Sequence, residues 1–257
     1  MIMIDKLCYH SKLRYVNPCE KFAFSIFTLL VCVMSRSFAV ALTVQLVNGI
    51  LTVYYGGIPV WRYMKLMTIP FTFLLLSTAA VIINVSNVPM DAYAVPVGTY
   101  YITGSSASLI LGGQLILTAL ASVSCLYFLS LHTPVTDIVG VLAKLHCPFL
   151  FVELMLLIYR FIFLLWEAAC GITTAQNSRL GNKDFKTSMN SFGKMCSVLL
   201  VRAFKKSNAL YDAMESRCYD GRIRVLDESA LPKRKEIIGM IVYEGLLISI
   251  ALWENRL

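Results

Sequence analysis

Residues 149–181 read FLFVELMLLIYRFIFLLWEAACGITTAQNSRLG, and this stretch decides what kind of fold the chain adopts. The part up to residue 174 is almost wholly apolar and predicts a helix about 39 Å long, at a rise of about 1.5 Å per residue. The part after it is small and polar, and it ends in Ser178-Arg179-Leu180-Gly181. The pattern therefore predicts a long apolar helix that finishes in an arginine.

The same ending recurs on the next predicted helix, which covers residues 187–217 and is amphipathic. Its last residues are Ala213-Met214-Glu215-Ser216-Arg217, which matches Ala175 to Arg179 at the alanine, the serine and the arginine. A cation near a helix C-terminus is ordinary, because it meets the negative end of the helix dipole. Two copies on consecutive helices indicate a role in binding a partner. The small residues let the partner approach closely, and each arginine offers it a planar fork of hydrogen-bond donors.

Composition places the chain in a membrane. Of its 257 residues 58% are hydrophobic and 15% are charged, and the mean hydropathy is +0.69. A soluble domain carries about 25% charged residues, and a bilayer-spanning helix needs about 20 apolar residues in a row. We therefore predict an all-α polytopic membrane protein with about five transmembrane helices and long helices on the cytoplasmic side.

The basic residues are unevenly distributed. The net charge is +8, no lysine or arginine lies between Lys65 and Lys144, and most of the basic residues follow Lys144. Loops rich in Lys and Arg face the cytoplasm, so we expect the N-terminus and the block after residue 131 to be cytoplasmic in a plasma-membrane protein. Nucleic acid is not an expected partner, because the basic block is interleaved with apolar residues.

The apolar runs divide the chain into three predicted segments. The first and the last contain the spans, and the middle one contains the helices with the paired arginines. They are residues 1–131, 132–232 and 233–257. Thr133 and Pro134 predict the start of a short helix at the beginning of the middle segment, with Thr133 as its N-cap.

Glu153, Arg160 and Glu167 are spaced seven residues apart in the long apolar helix, so they share one face. Charges in an apolar helix are often functional, and a proton or ion path is one interpretation. We favour the other, a structural ion-pair stripe where the two long helices meet.

The sequence offers no recognisable catalytic or metal site. The three histidines, His10, His132 and His146, lack metal-binding spacing, and the eight cysteines are scattered without a C-x-x-C pair. No phosphate-binding loop or nucleophile motif is present. We therefore expect neither enzymatic activity nor a cofactor nor a bound metal in this chain.

Five short segments together resemble the T component of an energy-coupling factor (ECF) transporter, of the CbiQ type found in cobalt or nickel uptake. The two arginine endings are the specific part of the likeness, while Tyr159-Arg160, His132-Thr133-Pro134 and the Pro18 to Lys21 segment also match the family. The chain departs from the family at Cys218, where a glycine is usual; here Gly221 comes three residues later.

The resemblance implies a non-catalytic scaffold. Two crossed coupling helices would contact two ABC ATPase subunits and transmit their motion to a membrane substrate-binding subunit held against the spans. The ATPase-docking residues implied by the two endings are Ala175, Ser178, Arg179, Gly181, Ala213, Ser216 and Arg217.

Three alternatives stay open at this point. One is a T component that serves a vitamin importer. Another is a multipass lipid-modifying enzyme, for which Asp212, Glu215 and Asp220 are the nearest approach to an acidic cluster. The third is a channel or carrier that works without ATPase subunits.

Overall fold

The computed structural model describes residues 3–82, 84–86, 93–97, 100–104, 106–221 and 232–254. Contacts divide the chain into two units, and the helix α6 crosses the division. The larger unit, Ile2–Ile138 with Ser229–Leu257, is called the bundle unit; the smaller, Val139–Glu228, is called the paired-helix unit.

Helices dominate the described part of the chain. Short one-turn segments at Lys12–Tyr15 (3-10) and Leu51–Tyr55 (π) separate some of them. The helices are α1 Met3–His10, α2 Pro18–Ser35, α3 Phe38–Ile50, α4 Val60–Ile82, α5 Ser106–His132, α6 Val135–Lys144, α7 Phe149–Ser178, α8 Phe185–Glu215 and α9 Arg234–Glu254.

Six of these helices are long and apolar enough to cross a membrane, counting only the described residues. They are α2, α3 with its π-helical end, α4, α5, α7 and α9. The prediction of an all-α polytopic membrane protein is confirmed. The sixth candidate is α7, which the sequence analysis assigned to the cytoplasmic side; length and composition alone allow it to span.

A small antiparallel sheet lies between α4 and α5. Its strands are β1 Asn84–Ser86, β2 Tyr93–Val97 and β3 Tyr100–Gly104, in the order β1-β3-β2. Ile102 of the central strand stands opposite both Val85 and Val95. Sheet pairing satisfies the backbone groups of this connection without a helix.

The bundle unit is built around α5, which contacts α1, α2, α3 and α4. Small side chains dominate one of its two core clusters, so the helices pack closely there, as is typical of helix contacts in membranes. This cluster consists of Cys32, Val40, Ala41, Val44, Ala121, Cys125 and Leu247. The second cluster has larger side chains, namely Leu7, Ile58, Tyr63, Leu66, Met67 and Leu131.

Lys21 is a buried cation that ties three segments of the bundle unit together. It is 3% exposed, and its Nζ donates to the carbonyls of Leu13 (3.1 Å), Arg14 (3.4 Å) and His132 (2.8 Å). A buried ammonium is costly unless it is hydrogen-bonded, and these carbonyls provide that compensation. Two of the segments that carried the family resemblance, Pro18 to Lys21 and the one beginning at His132, therefore meet in space.

The ring of His132 completes this junction. Its Nδ1 is hydrogen-bonded to Ser11 Oγ (2.6 Å), and its other face lies against Gly56. A Cβ atom at residue 56 would lie 2.1 Å from His132 Cε1, so only glycine fits there. The end of α5 is thereby fixed on α1 and on the turn before α4.

The prediction that the Thr133 side chain caps the N-terminus of α6 was wrong. The helix begins at Val135, and Thr133 Oγ1 makes no hydrogen bond to any residue that the structure describes. The carbonyl of Pro134 instead accepts from the amides of Asp137 (3.0 Å) and Ile138 (3.1 Å). Backbone alone therefore starts this helix.

In the paired-helix unit, α7 and α8 run antiparallel. Glu153, Thr173 and Gln176 contact Tyr219, Met195 and Ser191, respectively. Residue numbers therefore increase along α7 while those of their partners at α8 decrease. The helical path from Glu153 to Gln176 corresponds to about 35 Å.

Polar contacts hold the two ends of this pair. At one end, Gln176 Nε2 donates to the Ser191 carbonyl (2.8 Å), and Ser191 Oγ donates to the Gly181 carbonyl (2.7 Å); this is called the linker clasp. At the other end, the Tyr219 hydroxyl donates to the buried carboxylate of Glu153; this is called the terminal clasp. The hydrogen bond to Glu153, together with desolvation, raises the pKa of Tyr219 to about 12, so the tyrosine stays a donor at physiological pH.

Replacing Lys21 by methionine should destabilise the bundle unit, because the carbonyl groups around it, including the His132 carbonyl, lose their common donor. We expect Lys21→Met to lower the free energy of unfolding in detergent by about 2–4 kcal/mol. Lys12→Met, at an exposed lysine of the same segment, should change it by less than about 0.5 kcal/mol. Equal stability of the two variants would contradict the assigned role of Lys21.

Removing one hydroxyl should loosen the far end of α8. In Tyr219→Phe the Glu153 carboxylate loses the hydrogen bond that it accepts, so we expect amide hydrogen exchange around residues 215–219 to accelerate about tenfold. Tyr211→Phe is the matched control, since Tyr211 is exposed and its hydroxyl has no hydrogen bond to the described residues. Unchanged exchange at 215–219 in Tyr219→Phe would refute the terminal clasp.

Candidate functional site

The end of α7 is a tight hydrogen-bonded turn. The Gln176 carbonyl accepts from the amides of Arg179 (3.1 Å) and Gly181 (2.8 Å), and Leu180 lies in the left-handed region with φ +57°. Ser178 Oγ donates back to the Thr174 carbonyl (3.1 Å). Arg179 is therefore held at the point where the helix stops.

The end of α8 repeats this turn. The Met214 carbonyl accepts from the amides of Arg217 (3.0 Å) and Tyr219 (3.1 Å), and Cys218 has φ +58°. Ser216 Oγ donates to the Asp212 carbonyl (2.5 Å). The likeness between the two sequence segments is thus a likeness of backbone geometry as well.

A left-handed residue after a helix usually is glycine, and the sequence analysis treated the delayed Gly221 as a departure from the family. In the structure, neither turn has a glycine at its left-handed residue. Leu180 and Cys218 are the left-handed residues. Gly181 follows Leu180, and a Cβ there would lie 2.9 Å from the Gln176 carbonyl oxygen. Gly221 lies beyond the turn, so Cys218 keeps the local geometry intact.

The predicted docking residues are mostly on the surface. Gly181 is half-buried; the other six are exposed, namely Ala175, Ser178, Arg179, Ala213, Ser216 and Arg217. Neither arginine side chain has a hydrogen bond or an ion pair to any described residue. Both guanidinium groups are therefore available to another chain.

The two arginines lie at opposite ends of the helix pair. Arg179 adjoins the linker clasp, and Arg217 stands two residues before Tyr219 of the terminal clasp. With about 35 Å of helix between the clasps, one binding pocket on a partner could not hold both side chains. The distance between the arginines fits two separate binding pockets, one for each side chain.

The predicted stripe does not form mutual ion pairs among the described residues. Glu153 is 5% exposed and accepts from Tyr219, whereas Arg160 and Glu167 are exposed and unpaired within the described ranges. Tyr219, Gln176 and Ser191 are the side chains that sequence reasoning missed. Their partners are far away in the sequence, and no motif signals them.

A cleft of about 500 Å³ opens along the helix pair, close to the α7 end. A carboxylate from α7 and a guanidinium from α8 stand in an otherwise small and apolar lining. The lining residues are Leu164, Glu167, Ala168, Gly171, Ile172, Ala175 and Arg202. The cleft shares Ala175 with the arginine ending.

Among the residues that the structure describes, no three of His, Cys, Asp and Glu come together in a way that could hold a metal ion. His132, the best-placed histidine, is bonded to Ser11 and serves the bundle junction. The two helix ends present positive charge and hydrogen-bond donors at the surface.

Comparison with known proteins gives a consistent result. Residues 10–226 match the family CbiQ, described as cobalt transport protein. An uncharacterised protein of Methanocaldococcus jannaschii is 32% identical, over 97% of this chain and 92% of its own length. The cobalt transport protein CbiQ of Salmonella typhimurium is 25% identical, over 86% of this chain and 98% of its own.

A putative fused cobalt transport protein, CbiMQ, of Methanocorpusculum labreanum is 29% identical over 88% of this chain and 38% of its own length. The range 10–226 that matches the family contains both arginine endings and the junction around Lys21 and His132. This chain belongs to the CbiQ family of cobalt transport proteins.

Proposed function

We propose that this chain is the non-catalytic coupling subunit of an ATP-driven ECF-type importer for cobalt or nickel. Two ABC ATPase subunits would dock on the arginine endings, and a separate membrane subunit would bind the substrate. The single observation that carries the proposal is the repeated turn, which presents Arg179 and Arg217 in the same geometry at the two ends of one helix pair.

The clasps suit the pair to transmitting movement. A helix cannot shorten without breaking its backbone hydrogen bonds, so a displacement at one end reaches the other as tilt or rotation. When ATP closes the ATPase dimer, the two sockets approach each other, and the helix pair between them has to reorient. That reorientation would act on the substrate-binding subunit.

The pairing also supports a cytoplasmic position for α7. Its partner α8 carries exposed bases along its length, including Lys194, Arg202, Lys205 and Lys206. If α7 crossed the bilayer with α8 alongside, these bases would enter hydrocarbon at high cost. Five spans, with the helix pair and the N-terminus on the cytoplasmic side, fit the charges better than six.

The substrate is inferred from the relatives, two of which carry cobalt transport in their names. Uptake of radiolabelled cobalt by cells that express the chain with its adjoining genes should exceed the empty-vector background severalfold and should need hydrolysable ATP. Vitamin uptake in place of metal uptake would replace the metal assignment and leave the coupling role intact. Uptake by the purified chain alone would contradict both.

Truncating either arginine should weaken ATPase docking. Loss of one hydrogen-bonded charge at an interface costs about 2–5 kcal/mol, so Arg179→Ala or Arg217→Ala should reduce affinity for the ATPase at least about 30-fold. Arg→Lys should restore only part of this, because lysine lacks the planar fork. Co-purification of the ATPase and ATP-dependent uptake are the two measurements.

Lys183→Ala and Lys206→Ala remove exposed bases near α7's end and within α8, and they serve as matched controls with binding close to wild type. The Arg179→Ala/Arg217→Ala double variant should retain neither ATPase binding nor uptake. Wild-type coupling in that variant would end the proposal, as would losses of equal size in the lysine controls.

A further inference from the structure

A long apolar groove runs between α2 and α9 in the bundle unit. Its volume is about 600 Å³, and its lining is apolar except for two glutamates. From α2 it extends between Cys19 and Val31, and from α9 between Ile237 and Ile248. That length is about 18 Å of helix, or three turns.

The first glutamate, Glu20, is 7% exposed, and neither of its carboxylate oxygens has a hydrogen bond to the described residues. Glu236 and Lys233 stand beside it; Lys233 is paired with Glu236 (3.6 Å), and its positive charge also acts on Glu20. No well-formed hydrogen bond from Lys233 reaches either oxygen of Glu20, so a further donor would stabilise this buried carboxylate.

The second glutamate, Glu244, is near the middle of α9, and so near the middle of the predicted span. Thr28 Oγ1 donates to its Oε1 (2.6 Å), but Oε2 is buried without a hydrogen bond to any described residue. Ionisable groups at this depth are expensive and are found paired. Gly245 next to it has open space where a side chain would be, which permits close approach of another backbone.

We propose that this groove binds a transmembrane helix of another subunit, and that this helix carries a lysine or arginine facing Glu244. A basic side chain would satisfy the free oxygen of Glu244. A second basic or donor residue, seven or eight positions away on the same helix, would meet Glu20, because Glu236 beside Glu20 is eight residues from Glu244, about 12 Å along α9.

The same spacing argues against the other occupants. Two carboxylates about 12 Å apart along the groove cannot share one divalent ion, whose ligands lie within about 2.6 Å of it. A lipid tail would offer no donor to Glu20 or to the Oε2 of Glu244. A second copy of this chain, joined by the same face, would bring four glutamates together and would be repelled.

The test uses the intact complex in membranes, with the chain expressed together with its adjoining genes. A benzoylphenylalanine photo-crosslinker is placed at Ile241, which lines the groove, and in a control at Val242, which is similarly exposed but outside the lining. The proposal expects at least tenfold more crosslink to a separate membrane chain from 241. The crosslinked peptide should belong to a spanning segment with a lysine or arginine.

Glu244→Gln should then reduce the crosslink from position 241 at least fivefold. The crosslink should be restored when Glu244→Lys in this chain is combined with replacement of the partner's basic residue by glutamate. The proposal is overturned by a crosslink to lipid or to a second copy, by a spanning segment without a base, by equal yields from 241 and 242, or by no crosslink in correctly assembled protein. None of these outcomes bears on the arginine endings, so the coupling proposal is tested separately.

Discussion

The antiparallel pairing of α7 and α8 is the constraint on which the proposed coupling function depends. Two small clasps hold it, the linker clasp around Ser191 and the terminal clasp between Glu153 and Tyr219. Because the clasps are at opposite ends, the two arginine turns cannot approach each other along the pair. A partner that binds both has to offer two sites, and this favours a dimeric motor over a single protein with one groove.

Much of the fold could be predicted because long apolar runs in the sequence identify membrane-spanning helices. The apolar runs, the basic block after Lys144 and the repeated Ala-x-x-Ser-Arg endings are local features, and each corresponds to a described helix or helix end. The assignment of α7 needed more, since its length and hydropathy suit a span equally well. Only its pairing with the basic helix α8 distinguishes the two possibilities.

The features that escaped prediction are non-local or depend on rare backbone states. The Glu153–Tyr219 contact joins residues far apart in the chain, and no spacing rule points to it. Leu180 and Cys218 adopt a conformation that sequence reasoning reserves for glycine, because a Cβ there costs about 1–2 kcal/mol. Repetition of the same strained state at both ends shows that the turn geometry is maintained without the favoured residue.

The distribution of charge offers a reason why two kinds of partner would not compete. The paired-helix unit presents unpaired guanidinium groups and exposed lysines, so it attracts acidic surfaces. The α2–α9 groove presents Glu20 and Glu244 in an apolar setting, so it repels an acidic surface and accepts a basic helix. A basic helix is disfavoured at the arginine endings, and an acidic surface is disfavoured in the α2–α9 groove, because each would leave charges unpaired. Interfaces commonly exclude wrong partners in this way. The proposed coupling role needs this opposition, because it requires an ATPase and a membrane subunit to be bound at the same time.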